Sequence, residues 1–288
     1  MIKIVTDSSA DLPAPIAQEL GISVVPLYVR FGDEVYRERV DISDEEFYQK
    51  LLHGAVHPMT IQPGPQDFAE VYQKLSEEAD TIVSIHISSK LSGTLNSALQ
   101  AKNMIASKCP IKVVDSQTIT LALGFMTTAA AEIANAGKSL QQVLAVVKEA
   151  MHDAHSLVLL DTLKYLHLGG RIGKAKTLLG TVLNVKPMIT IRDGEVVPAG
   201  QVRSRAKGIE RLVDFVKNAA HIKDLAVAYS TTLDDAQALA QRVASTFTKG
   251  EVRVARLGTT LGVHLGPGTL IVSFRGRMAD MRQAEQEV

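Results

Sequence analysis

The chain has 288 residues, of which 46% are hydrophobic and 22% charged, and its formal net charge is zero. This length suits one large α/β domain or two domains of ordinary size, and the composition excludes an intrinsically disordered chain. A protein that follows a polyanion normally carries a basic excess, so a nucleic acid is not expected as a partner. The single cysteine, Cys109, rules out an intramolecular disulfide and fits a reducing compartment.

The beginning of the chain and two uncharged stretches bear on membrane insertion. Residues 1–6 have the pattern of a strand and lack the apolar segment and cleavage site of a signal peptide. Ser116–Ala131 is short for a membrane span, and Leu257–Phe274 is interrupted by glycines and a proline. The sequence therefore predicts a cytoplasmic protein without a transmembrane helix.

Short apolar runs alternate with helical patterns in the first half of the chain. The predicted strands are Lys3–Thr6, Val24–Phe31, Thr81–His86 and Lys112–Val114. The predicted helices are Pro13–Leu20, Asp44–Leu52, Gln66–Glu78, Gly93–Ala106, Leu121–Asn135 and Leu140–His152. Two helices begin with a capping box, Ser43 with Glu46 and Ser139 with Gln142. The alternation indicates βαβ units and a mainly parallel sheet.

The pattern changes after an apolar run at Leu157–Leu160. A glycine-rich segment, residues 168–174, leads into a helix, and Asp193-Gly194 has the composition of a type I′ hairpin turn. The further predicted elements are strands Met188–Arg192 and Val196–Val202, helix Ala206–Ala219, strand Leu225–Ser230, helix Leu233–Phe247, and strands Val252–Arg256 and Leu270–Phe274. A hairpin beside helices indicates a second, mixed α/β domain. We predict an N-terminal domain over residues 1–160 and a C-terminal domain over residues 161–288.

The motifs of a self-sufficient enzyme are incomplete. Gly137-Lys138-Ser139 and Gly173-Lys174 each lack part of a Walker A motif, and Gly266-Pro267-Gly268 precedes a strand instead of opening a helix. No serine lies in a Gly-x-Ser-x-Gly elbow. Two histidine pairs with ligand-like spacing, His53/His57 and His152/His155, have no companion ligands. Neither an ATP site, a metal nor a cofactor is expected.

The strongest local signal is a hydroxyl-rich turn between a buried strand and a helix that is expected to begin near Gly93. Ser92 is a suitable N-cap, and Thr94 adds a second hydroxyl. The first N–H groups of a helix have no intrahelical partner, so a helix N-terminus attracts anions. The segment predicts an anion site at Ser92, Gly93 and Thr94. The alternative is that Ser92 and Thr94 only cap the helix.

Five further residues are candidates for the same anion site or for a partner's acidic surface. Thr60 lies in a rigid Pro/Gly loop, and Arg171, Arg203 and Arg205 lie in segments containing glycine or serine. His264 is expected in a glycine-rich loop before a buried strand, where an imidazole suits a carboxylate or a phosphate. Solvated surface charge for the arginines and a structural role for His264 remain the alternatives.

These segments, in this order, resemble the DegV family over nearly the whole chain. The resemblance rests on residues 5–12 (Val-Thr-Asp-Ser-Ser-Ala-Asp-Leu), Thr60-x-Gln62-Pro63, Ser88-Ser89-x-Leu91-Ser92-Gly93-Thr94, Val114-Asp115-Ser116, Leu163-x-Tyr165-Leu166, Gly169-Gly170-Arg171-Ile172, Lys186-Pro187, Arg203-Ser204-Arg205 and His264-x-Gly266-Pro267-Gly268. The chain departs from the family's Thr-Ser-Gln-Pro-Ser loop at Ile61 and Gly64, and its segment before His264 is looser than usual.

The resemblance implies a two-domain α/β protein that holds a long-chain fatty acid, such as palmitate, between its domains. It places the carboxylate at hydroxyls matching Thr60 and Ser92, and the acyl chain in an apolar tunnel. Proteins of this family act as the lipid-binding subunit of bacterial fatty-acid kinase, whose separate kinase subunit brings ATP and phosphorylates the carboxylate for phospholipid synthesis. The resemblance makes Arg171, Arg203 and His264 candidates for kinase docking or for the polar site, and this chain itself a carrier without catalytic residues.

Two alternatives remain open from the residues alone. In the first, the chain is a stand-alone phosphotransferase or hydrolase that uses His264 and the arginines. In the second, it is a regulatory interaction protein. The helix predicted at Leu121–Asn135 either lines the acyl chain or belongs to the ordinary core.

Overall fold

The structure is a computed structural model that describes residues 1–106, 109–179, 185–247 and 250–278. The strands are β1 (Ile2–Asp7), β2 (Ile22–Val25), β3 (Tyr28–Phe31), β4 (Glu34–Arg37), β5 (Met59–Ile61), β6 (Thr81–His86), β7 (Ile111–Asp115), β8 (Ala154–Leu159), β9 (Lys186–Arg192), β10 (Glu195–Val202), β11 (Ala219–Tyr229), β12 (Arg253–Arg256) and β13 (Leu270–Met278).

The helices connect these strands in the order that the sequence indicates. They are α1 (Ala14–Glu19), α2 (Asp44–His53), α3 (Pro65–Ser76), α4 (Thr94–Met104), α5 (Thr120–Asn135), α6 (Leu140–Asp153), α7 (Lys164–Leu168), α8 (Arg205–Lys217), α9 (Leu233–Ala244) and α10 (Thr259–Leu265), with 3₁₀ turns at Ser8–Ala10 and Gly173–Leu178.

Three sheets organise the fold. The first is a parallel sheet in the order β2-β1-β6-β7, and the second is a mixed sheet in the order β10-β9-β8-β13-β11-β12. A small antiparallel sheet, β4-β3-β5, packs its hydrophobic side against α2 and α10. The prediction of an α/β fold with a parallel sheet followed by a mixed α/β region is confirmed.

The strand predicted at Val24–Phe31 is two strands that belong to different sheets. Pro26 interrupts it; proline has a fixed φ and no N–H to donate, which removes one ladder hydrogen bond. β2 therefore pairs with β1, while β3 pairs with β4 and β5. This switch carries the chain from the parallel sheet to the small sheet and brings β5, which contains Thr60, towards α10.

The division of the chain at residue 160 stays a prediction, but sheet membership changes slightly earlier. β8 pairs with β13 on one side and with β9 on the other. By this criterion the second structural unit begins at Ala154, immediately after α6 ends at Asp153.

Helix α5 lies in the centre of the molecule and is buried on almost every side. Leu123 and Met126 pack in the core of the parallel sheet, whereas Leu121 and Phe125 pack in a core shared with the six-stranded sheet. A helix that is hydrophobic all round is expected in such a position. Among the described residues, no helix is long and apolar enough to cross a membrane.

The structure contains the hairpin turn and the helix caps that the sequence predicts. Asp193 and Gly194 both have positive φ, 52° and 79°, as a type I′ turn between β9 and β10 requires. Both predicted capping boxes are present, at Ser43 with Glu46 and at Ser139 with Gln142.

The prediction that His264 lies in a loop is wrong, because residues 259–265 form α10. The glycines that suggested a loop have a packing role here. Gly262 is buried, and a Cβ at this position would overlap the Phe47 ring of α2. Close packing between α10 and α2 therefore explains a glycine inside this short helix.

Candidate functional site

A cavity of about 310 Å³ lies between the carboxyl edge of the parallel sheet and one face of the six-stranded sheet. The segments that follow β2, β6 and β7 contribute one wall, including Leu27, Ile87, Leu91 and Ile119. The opposite wall consists of strand residues Val158, Ile189, Ile191, Val196 and Ile271. The carboxyl edge of parallel strands is a common place for ligands in open α/β sheets, and these walls are mainly aliphatic.

One end of the cavity is polar. Thr60, Ser92 and His264 line it, together with the more exposed side chains of Gln62 and Arg171. The structure thus brings together four of the residues that the sequence named as candidates: Thr60, Ser92, Arg171 and His264. Gln62 was named only as part of the family motif.

Thr60 and His264 form a direct contact across the two halves of the chain. Thr60 Oγ1 lies 2.9 Å from His264 Nε2, and His264 Nδ1 is buried without a hydrogen-bond partner among the described residues. Burial, followed by the positive charge of Arg171 and the proximity of His57, lowers the pKa of His264 to about 4. The imidazole is therefore neutral at pH 7 and carries one hydrogen.

The hydrogen-bond pattern indicates which nitrogen carries that hydrogen. A hydrogen on Nδ1 would be a buried donor without an acceptor, which proteins avoid. With the hydrogen on Nε2, His264 donates to Thr60 Oγ1, and the tautomer is assigned on this basis. The hydroxyl hydrogen of Thr60 is then available to a ligand.

Ser92 has a similar spare donor. Its Oγ accepts the backbone N–H of Thr94 at 3.3 Å and lies 2.8 Å from Thr94 Oγ1. When Thr94 donates to it, Ser92 has used both lone pairs and retains its hydrogen. Two hydroxyl groups, Thr60 and Ser92, can therefore donate to one anion at this end of the cavity.

The start of α4 differs by one residue from the prediction. The helix begins at Thr94, and Gly93, not Ser92, occupies the N-cap position. A Cβ at Gly93 would overlap the Gln62 side chain, so the space at this glycine is filled by Gln62. Thr94 is fully buried. Ser92 lines the cavity, whereas Gly93 and Thr94 do not. Thr94 contacts the Ser92 hydroxyl.

The three arginines have different surroundings. Arg171 lines the cavity and donates to the carbonyl oxygens of Gly169 and Leu91, at 2.8 and 3.3 Å. Arg203 is exposed between β10 and α8.

Arg205 is surrounded by acceptors from its own chain. It pairs with Asp235 at 2.7 Å, donates to the Gly268 carbonyl at 2.6 Å and bonds Thr232 at 2.8 Å. Arg205 therefore braces the loop before β13. The expectation that Arg203 and Arg205 receive a partner stays a prediction.

A shallow basic groove borders the polar end of the cavity. It contains Lys90, Arg171, Lys174 and Lys176, with Glu195 as its acidic member. Glu195 pairs with Lys174 at 2.5 Å and lies 3.9 Å from Lys90. The groove carries a net positive charge next to the site where an anion would sit.

The incomplete nucleotide motifs have other roles in the described structure. Ser139 caps α6 as part of its capping box. Lys174 is engaged with Glu195. The loop Gly266-Pro267-Gly268 is held by Arg205, and a Cβ at Gly266 would overlap the Tyr165 ring.

Sequence reasoning missed two threonines inside the cavity, Thr120 and Thr260, and the carboxylates behind them. Thr120 Oγ1 donates to Asp11, and Thr260 Oγ1 donates to Glu38, each at 2.8 Å. Burial raises the pKa of Asp11 to about 7, an effect that Arg39 opposes. Asp11 was part of the family motif at residues 5–12, but no local signal indicated its partners.

Sequence reasoning also missed a buried hydrogen-bond network formed by side chains of β1, β6 and α3. His86 Nδ1 lies 2.9 Å from Asp7, His86 Nε2 lies 2.6 Å from Ser84 Oγ, and Ser84 Oγ lies 2.7 Å from the Tyr72 hydroxyl. All four side chains are fully buried. The order Ser–His–Asp is that of a hydrolytic triad, but Ser84 is already paired and no substrate can reach it.

The helix predicted at Leu121–Asn135 contributes little to the cavity. The cavity wall includes Thr120, the first residue of α5, and Ile119 before it. The side chains of Leu123, Phe125 and Met126 belong to the hydrophobic cores. Of the two roles left open by the sequence, the structure favours the core role.

Comparisons with known proteins agree on one family. The family described as "Uncharacterised protein, DegV family" matches residues 1–276. A DegV domain-containing protein of Halalkalibacterium halodurans is 35% identical over 279 residues, which cover 95% of this chain and 98% of that protein.

Two solved structures show the same fold. A DegV family protein from Thermus thermophilus, described for its fatty acid binding, is 39% identical with a TM-score of 0.89, covering 96% of this chain and 99% of that chain. A stearic acid-binding protein from Eubacterium ventriosum is 27% identical with a TM-score of 0.85, covering 96% of this chain and 98% of that chain.

Proposed function

This chain belongs to the DegV family, and we propose that it binds a long-chain fatty acid and presents the carboxylate to a separate kinase. The observation that carries the proposal is a mainly aliphatic cavity with two spare hydroxyl donors, Thr60 and Ser92, at its polar end. Fatty-acid binding by similar proteins, including the Thermus thermophilus protein, supports it.

The two parts of the cavity match the two parts of a fatty acid. Each methylene that leaves water for an apolar wall contributes about 0.8 kcal/mol. Hydrogen bonds to a charged group contribute about 1.5–3 kcal/mol each. The acyl chain therefore supplies most of the affinity, and Thr60, Ser92 and the neutral His264 fix the position of the carboxylate.

The proposed division of labour with a kinase rests on the resemblance and on the surroundings of the polar end. Arg171, Lys90, Lys174 and Lys176 give the adjacent groove a positive charge that suits an acidic surface or the phosphates of bound ATP. The exposed Arg203 is a further docking candidate. In this proposal the protein works in the cytoplasm as a carrier, and the kinase performs the phosphoryl transfer.

Mass spectrometry of the freshly purified protein under denaturing conditions tests the binding step. We expect a fatty acid at close to one molecule per chain. Protein that contains no lipid and does not take up palmitate or stearate in a direct titration would refute the proposal.

The kinase step needs a separate assay. The loaded protein is incubated with ATP, with and without a fatty-acid kinase subunit, and acyl phosphate is trapped as the hydroxamate. We expect product only with the kinase. Product from the isolated chain, or turnover of ATP or of a phosphate ester by it, would instead support the stand-alone enzyme that uses His264 and nearby arginines.

A further inference from the structure

The interior of the cavity contains hydroxyl groups that cannot donate to a ligand. A threonine has one hydroxyl hydrogen, and those of Thr120 and Thr260 are both donated to buried carboxylates. Both threonines line the same cavity as Thr60 and Ser92. At the polar end of the cavity, the hydroxyls of Thr60 and Ser92 each have a hydrogen available to a ligand. In the interior of the cavity, the hydroxyls of Thr120 and Thr260 do not.

Asp11 is held in place by groups from three parts of the chain. One carboxylate oxygen accepts the Gly258 N–H at 2.8 Å and lies 3.5 Å from Arg39, and the other accepts the Thr120 hydroxyl. Asp11 has 1% of its surface exposed. Both carboxylate oxygens of Asp11 therefore accept hydrogen bonds from groups of the protein, and the burial of Asp11 keeps water from competing with these donors.

Glu38 has the same relation to Thr260. It accepts the backbone N–H of Thr260 at 2.9 Å, the Thr260 hydroxyl at 2.8 Å and the Ser8 hydroxyl at 2.5 Å. It is likewise 1% exposed. Two separate buried carboxylates therefore each engage one threonine of the cavity wall.

The backbone at Thr120 indicates that this arrangement is enforced. Thr120 has a φ of 58°, and Asp11 has a φ of 47°. A β-branched residue in the left-handed region is strained and persists only where its surroundings determine it. The strained residue, Thr120, is the one whose hydroxyl donates to Asp11.

We propose that Asp11 and Glu38 are specificity-determining residues that withdraw the hydroxyl hydrogens of Thr120 and Thr260 from the cavity, so that the site selects unsubstituted acyl chains and rejects hydroxylated ones. This inference rests on the proposed fatty-acid binding. A ligand hydroxyl beside Thr120 or Thr260 finds no donor in that threonine, so it loses part of its hydration without replacement.

Asp11→Asn changes this polarity with almost no change in shape. The amide oxygen can still accept the Gly258 N–H, and the amide nitrogen then donates to Thr120 Oγ1. The Thr120 hydroxyl hydrogen must turn elsewhere, and the cavity is the space beside it. Glu38→Gln has the corresponding effect on Thr260.

The test is made at about pH 8.5, where Asp11, whose pKa is about 7, is ionised. It compares the affinity for stearate with the affinities for a panel of monohydroxylated stearates that carry the hydroxyl at different carbons. We expect the wild-type protein to bind the isomers with an interior hydroxyl roughly ten- to a hundredfold more weakly than stearate. Asp11→Asn is expected to reduce this discrimination by roughly tenfold for the isomers whose hydroxyl reaches Thr120. Stearate affinity should change by less than about threefold.

Two controls separate polarity from a general loosening of the structure. Thr120→Val removes the hydroxyl, so the double variant Asp11→Asn/Thr120→Val should regain wild-type discrimination. Asp44→Asn removes another carboxylate that pairs with Arg39, at 3.1 Å, without a bond to a cavity threonine, and should leave discrimination unchanged.

The outcomes distinguish this inference from the proposed function. Failure of the wild-type protein to bind stearate would refute fatty-acid binding itself. Stearate binding with equal affinity for every hydroxylated isomer, or discrimination that Asp11→Asn and Glu38→Gln both leave unchanged, would refute the role of the carboxylates alone. If Asp11→Asn does not fold, Glu38→Gln provides the same comparison at Thr260, with Glu38→Gln/Thr260→Val as its control.

Discussion

Two hydroxyl–imidazole pairs of the described residues differ in what else their atoms contact. At the polar end of the cavity, Thr60 meets His264, and His264 Nδ1 has no partner among the described residues. In the buried network, Ser84 meets His86, and each of them has a second partner, Tyr72 and Asp7 respectively.

This difference shows why residue types alone do not define a site. The buried network contains the serine, histidine and aspartate of a hydrolytic triad, yet its hydrogen-bonding capacity is used within the protein. The Thr60–His264 pair lacks an acidic member but keeps a free donor beside an apolar cavity. Accessibility and unused hydrogen-bonding capacity therefore distinguish the candidate binding site from the buried network.

The largest expected effect is a loss of stability when Asp7, the acid of the buried network, is removed. Asp7 accepts hydrogen bonds from His86, Ser9 and the Ile87 N–H. Asp7→Ala leaves these buried donors unsatisfied and should lower the free energy of unfolding by about 3–5 kcal/mol. Denaturant unfolding measures it, and bound fatty acid per folded molecule should not change. A loss below about 1 kcal/mol would contradict a structural role for the network.

The next effect is a pH dependence from His264. Its pKa is lowered to about 4 in the folded protein, whereas the ordinary value is 6.5. The unfolded chain therefore takes up the proton first as the pH falls. The stability associated with the neutral imidazole is complete above pH 6.5 and is lost towards pH 4, by about 3 kcal/mol.

His264→Gln removes this titration. The difference in unfolding free energy between the wild type and the variant should therefore change between pH 7 and pH 4, and parallel pH profiles would contradict the assignment. A bound carboxylate favours the charged imidazole, so adding fatty acid should raise the pKa of His264 in an NMR titration.

Changes at the hydroxyls of the polar end should affect binding more than folding. Thr60→Val keeps the shape of the side chain but removes the donor, and Ser92→Ala removes the other donor. Each should weaken fatty-acid binding by roughly 1–3 kcal/mol, the cost of leaving a charged partner short of a hydrogen bond. Thr81→Val, at a threonine outside the cavity whose hydroxyl donates to the Asp80 carbonyl, is the matched control. Unchanged affinity in Ser92→Ala would remove Ser92 from the site.

The smallest expected effect on the isolated protein is at Arg203. This side chain is exposed, so Arg203→Ala should change stability by no more than about 0.5 kcal/mol and leave fatty-acid affinity intact. Acyl phosphate formation by an added kinase should nevertheless fall. Arg205→Ala, which breaks contacts to Asp235 and Gly268, should in contrast destabilise the protein. Normal kinase turnover with Arg203→Ala would exclude it from docking.

The sequence by itself determined the features that depend on neighbours in the chain. Hydrophobic periodicity indicated most strands and helices, the Asp193-Gly194 turn and both capping boxes followed from local chemistry, and the ordered motifs indicated the family. Short elements such as β4, β5, α7 and α10 were not predicted, since a few residues carry too little periodicity.

Only the tertiary structure decided which of the candidate residues act together. Thr60 and His264 are 204 positions apart, and Asp11 and Gly258 are 247 apart, so no local pattern relates them. The packing of α10 against α2 places His264 at Thr60, and the burial of Asp11 and Glu38 withdraws two hydroxyls from the cavity. Hydrogen bonds depend on distance and direction in space, and these follow from the packed fold.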